Sequence, residues 1–150
     1  MKLVTINSKL FNLYKKDPEF LSKAKRPCVL AVRLKYKNQN YNFAVPFRSN
    51  IPAASQKSEY FPLPPRSTTR SGNRHGLHYI KMFPVEKNQL QIYRTTGNKA
   101  ATMYKKIINK NEKRIVRECQ EYLNAFEKNH KSPYATDIDL LLSIMKGEKE

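Results

Sequence analysis

Cys28-Val-Leu-Ala-Val-Arg-Leu-Lys-Tyr36, the polar Lys37-Asn-Gln-Asn40, and Tyr41-Asn-Phe-Ala-Val-Pro-Phe-Arg48 form the stretch that decides the fold. Cys28, Leu30, Val32, Leu34 and Tyr36 fall on one face of an extended chain, with Arg33 and Lys35 on the other. Tyr41, Phe43, Val45 and Phe47 resume the same period of two, so the stretch predicts a β-hairpin turning at 37–40. Pro46 lacks an N–H and predicts an edge or a bulge in the second strand. Upstream, Lys2–Ile6 reads as a short strand. Asn7 or Ser8 then caps a helix running to Lys16, with Leu10, Phe11 and Tyr14 on one face, and Pro18 stops it. Lys23-Ala-Lys-Arg-Pro27 is a basic connector.

Downstream, residues 49–76 are rich in Pro, Ser, Thr and Arg and read mostly as loop, and a loop that long in a small domain is more often functional than decorative. Leu77–Phe83 reads as an apolar strand closed by Pro84, and Leu90–Tyr93 as one more. From about Asn98 the period changes to three and four. Ile107, Ile108, Ile115, Val116, Cys119, Leu123 and Phe126 make a core stripe, with a break at Asn109–Asn111. A last helix, capped near Thr136 or Asp137, carries Ile138, Leu141, Leu142 and Met145. The 150 residues are expected to form one α+β domain, a compact twisted antiparallel sheet with C-terminal helices packed on it.

The charge is uneven. Lys and Arg number 29 against 12 Asp and Glu, a formal net of +17 and a pI near 10.0. Residues 1–100 hold 19 of the cations but only four acids (Asp17, Glu19, Glu59 and Glu86), whereas residues 101–150 hold 10 and eight. So large a surplus repels itself, and a polyanionic partner explains it better than a merely solvated surface does. The expected partner is nucleic acid bound by the N-terminal two-thirds. Cys28 and Cys119 have no metal-like spacing and read as buried thiols. With no long apolar run, the chain is expected to be soluble and cytoplasmic.

Metal-dependent phosphodiester cleavage needs clustered carboxylates, and four scattered acids do not supply them. No metal or cofactor is therefore expected. RNA carries its own nucleophile, the 2′-OH, and needs only groups that orient it, move protons and neutralise the phosphorane. Arg, Lys, His, Ser and Tyr suffice, and all crowd residues 48–81. The candidate catalytic residues are Arg48, Ser49, His75, His78 and Lys81. Alternation sets His78 opposite Leu77 and Tyr79 and leaves His75 on the loop. The plainer readings are a hydrogen-bonded strand histidine for His78, an exposed loop residue for His75 and a turn cap for Ser49. Arg66, Arg70 and Arg74 share a nearly acid-free loop, and Lys9, Arg26 and Lys35 complete the candidate RNA-binding cations. Tyr36, Tyr41, Tyr60 and Phe61 lie among them as candidates for base stacking, with core packing the better reading of Tyr41.

Four segments resemble the ToxN/AbiQ type III toxins, most of all their smaller CptN/TenpN branch. They are Val4-Thr-Ile-Asn-Ser-Lys9, Lys25-Arg-Pro27 with the hairpin into Ala44-Val-Pro-Phe-Arg-Ser49, Gly76-Leu-His-Tyr-Ile-Lys-Met-Phe-Pro-Val85, and Met103-Tyr104 opening a helix with Ile107 and Asn109. The resemblance implies a sheet related to the MazF/Kid-type toxin barrel and metal-independent endoribonuclease action leaving a 2′,3′-cyclic phosphate. It also implies inhibition by a repetitive small RNA that the toxin processes and then binds in a closed RNA–protein oligomer, with a role in phage defence or plasmid maintenance. Ser49 is the one position carried over from the family. Where the family continues with Pro and an active-site Lys, this chain has Asn50, Ile51 and Pro52 and no lysine before Lys57, and Arg48 stands for a hydroxyl residue. A cation must replace that lysine, which is why Arg48, His75 and His78 enter the candidate set. The alternative is a non-catalytic basic RNA-binding protein. A DNA-binding regulator is disfavoured, because no helix-turn-helix is readable.

Overall fold

A computed structural model describes residues 2–20 and 29–147. The basic connector with Arg26, and Cys28, lie outside them. Strand β1 is Lys2–Ile6, β2 Val29–Tyr36, β3 Gln39–Ile51, β4 Tyr60–Leu63, β5 Arg74–His78, β6 Phe83–Val85 and β7 Leu90–Ile92. Helix α1 is Ser8–Tyr14, α2 Lys99–Lys110, α3 Glu112–Glu127 and α4 Ile138–Met145. The strands pair antiparallel in the order β4-β5-β3-β2-β1-β7, and β6 also pairs with β3. The fold is α+β as expected, and the sheet stays open, its pairing ending at β4 and β7.

The hairpin forms on the register that the alternation implies, from Val29 opposite Pro46 to Tyr36 opposite Gln39. Its turn is tighter than expected. Lys37 and Asn38 alone make it, at φ 49° and 66°; two left-handed residues give the turn that matches strand twist. Lys37 has no intrinsic liking for that region. The Glu127 side chain accepts its backbone N–H at 3.1 Å and Asp139 pairs with its ammonium at 3.0 Å, tying the turn to α3 and α4.

Strand β3 is the spine. One edge holds β2 along Gln39–Pro46, and β6 at Asn42–Ala44 and β5 at Phe47–Ile51 also pair with β3, so β3 stands inside the strand order. Pro46 is therefore not on an edge strand. It stands opposite the first residue of β2, while the 3-10 turn Tyr79–Lys81 separates β5 from β6 on the other side. Leu77–Phe83 is accordingly not one strand. Residues 49–76 are also less loop than expected, since β3 runs on to Ile51 and β4 pairs with β5.

Helices cover both faces. Leu30, Val32, Leu34, Phe43 and Val45 pack with Tyr104, Ile108, Ile115, Cys119, Leu123 and Phe126 of α2 and α3. On the other face Val4, Ala44, Phe83 and Val85 pack with Leu10, Phe11 and Tyr14 of α1 and with Leu141 of α4. There Phe20 meets Tyr14 and Phe83 edge to face, with ring centroids 5.3 and 4.9 Å apart; such pairs add about 0.5–1.5 kcal/mol beyond area burial. Asn7 caps α1, Asn98 caps α2 and Asp137 caps α4 through their side chains. The break between α2 and α3 falls at Asn111.

Candidate active site

The ladder between β3 and β5 slips by one residue at the polar end of β3. Arg48 faces Gly76 and Ile51 faces Arg74, so Ser49 and Asn50 together oppose His75. This is a β-bulge, which bends a strand and re-aims its side chains. Ser49 is half-buried on it. Asn50 fastens the arginine loop. Its Oδ1 accepts the backbone N–H of Arg70 at 2.7 Å and Asn73 Nδ2 at 3.3 Å, and its Nδ2 donates to the Thr68 carbonyl at 3.0 Å. Arg66, Arg70 and Arg74 are all exposed around this anchor.

Arg48, Gly76 and His78 share a face, because Arg48 pairs with Gly76 and His78 follows two residues on. On β4 the same face carries Tyr60 opposite His78 and Pro62 opposite Gly76. Gly76 is required here, since a Cβ would come within 2.1 Å of the Phe61 carbonyl oxygen. Arg48 Nη1 lies 3.5 Å from His78 Nδ1. A guanidinium only donates, so His78 Nδ1 accepts in this contact. The ring itself is 1% exposed.

His75 corrects the expectation of a loop residue. It lies in β5, is 1% exposed, and faces the opposite way from His78. Its ring meets Tyr104 at 4.9 Å and Phe47 at 6.3 Å, and its Nδ1 donates to the Pro64 carbonyl at 2.9 Å. Burial lowers its pKa below the ordinary value, the Arg66 charge adds to that, and the Pro64 carbonyl opposes it. The two histidines therefore do not make one proton relay, and His75 is a neutral pin under α2.

Lys81 is also corrected. Its buried ammonium donates to Glu19 Oε1 at 2.8 Å, to the Glu19 carbonyl at 3.2 Å and to the Tyr134 carbonyl at 2.6 Å. All three N–H groups are engaged, so it joins the chain around Glu19 to the approach to α4 and offers nothing to a phosphate. Tyr36 is no stacking platform either, since it is buried and donates its hydroxyl to Asp139 at 2.8 Å. Phe61 is buried beneath Arg114, and Tyr41 packs against the core with Lys146 over its ring. Tyr60, half-buried beside His78, is the aromatic left at the site. Lys35 is exposed on β2, and Lys9 is exposed on α1, which packs on α4. Neither belongs to the Arg48–His78 cluster. Asn50 and Gly76 are the residues whose roles the sequence reading missed. An Asn directly after the strand-end Ser was the visible signal for the first; the second required knowing that β4 exists.

Among the described residues, no three His, Cys, Asp or Glu side chains gather into a metal-holding group, and no helix is long and apolar enough to cross a membrane.

No protein-family model matches the sequence, and no curated protein matches it significantly. Solved structures do resemble it. A protein of a bacterial antiviral system regulated by a processed non-coding RNA superposes with a TM-score of 0.72 at 15% identity, over 100% of both chains. A second, from work on selective toxin inhibition by a non-coding RNA pseudoknot in type III toxin–antitoxin systems, gives 0.69 at 16% identity, over 99% of this chain and 98% of that one. AbiQ, a lactococcal anti-phage endoribonuclease of a type III toxin–antitoxin system, gives 0.70 at 16%, over 97% and 95%. From end to end, this chain has the ToxN/AbiQ fold of the type III toxin–antitoxin proteins.

Proposed function

We propose that the protein is a metal-independent endoribonuclease toxin of a type III toxin–antitoxin system, acting in the cytoplasm on single-stranded RNA. The 2′-OH attacks the adjacent phosphorus, the bond to the 5′-oxygen breaks, and a 2′,3′-cyclic phosphate and a 5′-hydroxyl result. His78 is the candidate for proton transfer, Arg48 for holding the charge of the phosphorane, and Ser49 for orienting the hydroxyl. Arg66, Arg70 and Arg74 bind the strand, and Tyr60 stacks a base. The partner is a repetitive small RNA that the toxin processes and that then restrains it in a closed RNA–protein oligomer.

The observation that carries the reading is the Arg48–His78 contact beside the Ser49 bulge, on an acid-poor cationic surface. It sets a candidate for proton transfer beside a candidate charge stabiliser, for a reaction whose nucleophile the substrate brings. Purified protein is expected to cut single-stranded RNA in excess EDTA, to leave DNA intact and to yield cyclic phosphate ends. Cleavage abolished by chelation and restored by Mg²⁺ would contradict the mechanism. RNA bound but never cut would favour the non-catalytic alternative.

A further inference from the structure

A second cavity lies at the Tyr60–His78 end of the β4–β5 ladder. A cavity of about 650 Å³ opens between the 3-10 turn Lys57–Glu59, α3 and residues 129–132. That volume lies within the range of small-ligand sites, roughly 300–1,000 Å³. Glu59, Glu118, Glu121, Tyr122, His130 and Lys131 are among its lining residues.

The acids are not equivalent. Glu118 is engaged, accepting the Tyr79 hydroxyl at 2.7 Å and Arg114 Nε at 2.8 Å. Glu59 is one of only four acids in residues 1–100, and among the described residues its carboxylate has no ion pair or hydrogen-bond donor. Beside it, the Tyr122 hydroxyl is buried and has no hydrogen-bond partner among the described residues. Burial and the Glu59 charge push the Tyr122 pKa up, so the group is a phenol and an available donor. Leaving such a group unmatched is unfavourable, and a ligand that accepts its hydrogen bond removes that cost.

We propose that this cavity is a base-recognition pocket for guanine. Guanine presents N1–H and N2–H₂ side by side, two donors for one carboxylate, with the O6 acceptor next to them for the Tyr122 hydroxyl. Adenine and cytosine set a ring acceptor beside the amino group, and uracil flanks its N3–H with two carbonyls, so a carboxylate repels part of each edge. Ile80 and Ala125 supply apolar wall, His130 a ring to stack on, and Lys57 and Lys131 charge for the phosphate. The guanine is that of a free nucleotide or of an RNA strand. Glu59 precedes Tyr60, the strand partner of His78, and Ile80 follows His78 by two residues. For an RNA strand the pocket therefore selects sequence next to the cut, a role that rests on the cleavage reading, whereas the binding itself does not.

The test titrates the full chain with GMP, AMP, CMP and UMP. In parallel it uses 2′-O-methyl RNA octamers, which resist cleavage, with one G or with that G replaced by A. At least a ten-fold preference for G is expected, lost in Glu59→Gln and reduced in Tyr122→Phe, whose melting temperature stays level or rises. Preference among mononucleotides identifies a free nucleotide as sufficient; preference in octamers alone identifies RNA as the source. Absence of base preference in both arms, or a preference that survives Glu59→Gln, overturns the proposal. Because no arm requires cleavage, failure here is separable from failure of the nuclease reading.

Discussion

His75 and His78 stand three residues apart on β5 and face opposite ways, so one short strand carries two histidines with different work. His78→Ala is expected to lower RNA cleavage by about 10²–10⁴, the usual contribution of a general base. Arg48→Ala should do the same through lost charge stabilisation. Ser49→Ala should be milder; single-turnover cleavage of one labelled RNA compares all three. His75→Ala should behave differently, losing about 1–3 kcal/mol of stability while each folded molecule keeps cutting. The pH dependence follows from the lowered pKa of His75. Near pH 7.5 the ring is neutral whether the chain is folded or unfolded. As pH falls through about 6.5 the unfolded chain takes up a proton that the fold refuses, so stability drops, by at most about 1.4 kcal/mol per pH unit for one group. Urea titrations between pH 5 and 7.5 should show a shallower fall for His75→Gln. If the variant and the parent fall equally, His75 is not the titrating group. Alternation alone revealed that His78 opposes Leu77. It said nothing of His75, because what buries that ring is Tyr104, 29 residues away in another element.

At the scale of elements, the hairpin was legible because its strands alternate over sixteen positions and nothing interrupts them before Pro46. The helices were legible for the same reason, and Asn7, Asn98 and Asp137 mark the starts of three of them where capping chemistry puts them. Strand β4 was hidden, since it is Tyr60-Phe-Pro-Leu63, four residues with a proline among them. Its existence depends on a long-range partner, β5, and on Gly76 allowing the two backbones to meet. With β4 unseen, the whole of 49–76 looked like loop and His75 looked exposed. The bulge at Ser49 and Asn50 was hidden too, because register is a property of two strands. Asn50→Ala removes three hydrogen bonds from the arginine loop and should cost about 1–3 kcal/mol. It should also hasten proteolytic cutting within residues 64–73, while the sheet core keeps its hydrogen-exchange protection. If cutting there is unhurried, the loop is held by something other than Asn50.

For the whole molecule, a net charge of +17 matters only where the fold gathers it. Sequence reading assigned the surplus to the N-terminal two-thirds, and the fold divides that portion between places that one strand need not visit together. Arg66, Arg70 and Arg74 surround the bulge, whereas Lys35 stands on β2 and Lys9 on α1. Salt dependence distinguishes the cations that touch phosphate from those that do not, because each neutralised phosphate of a single strand contributes about −0.7 to the slope of log K against log salt. Arg70→Ala with Arg74→Ala should therefore make the slope shallower by about 1.4 for a short uncleavable RNA. Lys9→Ala and Lys35→Ala should leave it unchanged with that RNA, which occupies one site. With the full repeat RNA, the same lysine variants should shift the slope if the partner wraps on to a second face, the geometry a closed assembly needs. Equal slopes for parent and double-arginine variant, measured between 50 and 300 mM salt, would remove Arg70 and Arg74 from the RNA path. Arg48 and Arg66 would then be the cations around the bulge left to meet the scissile phosphate.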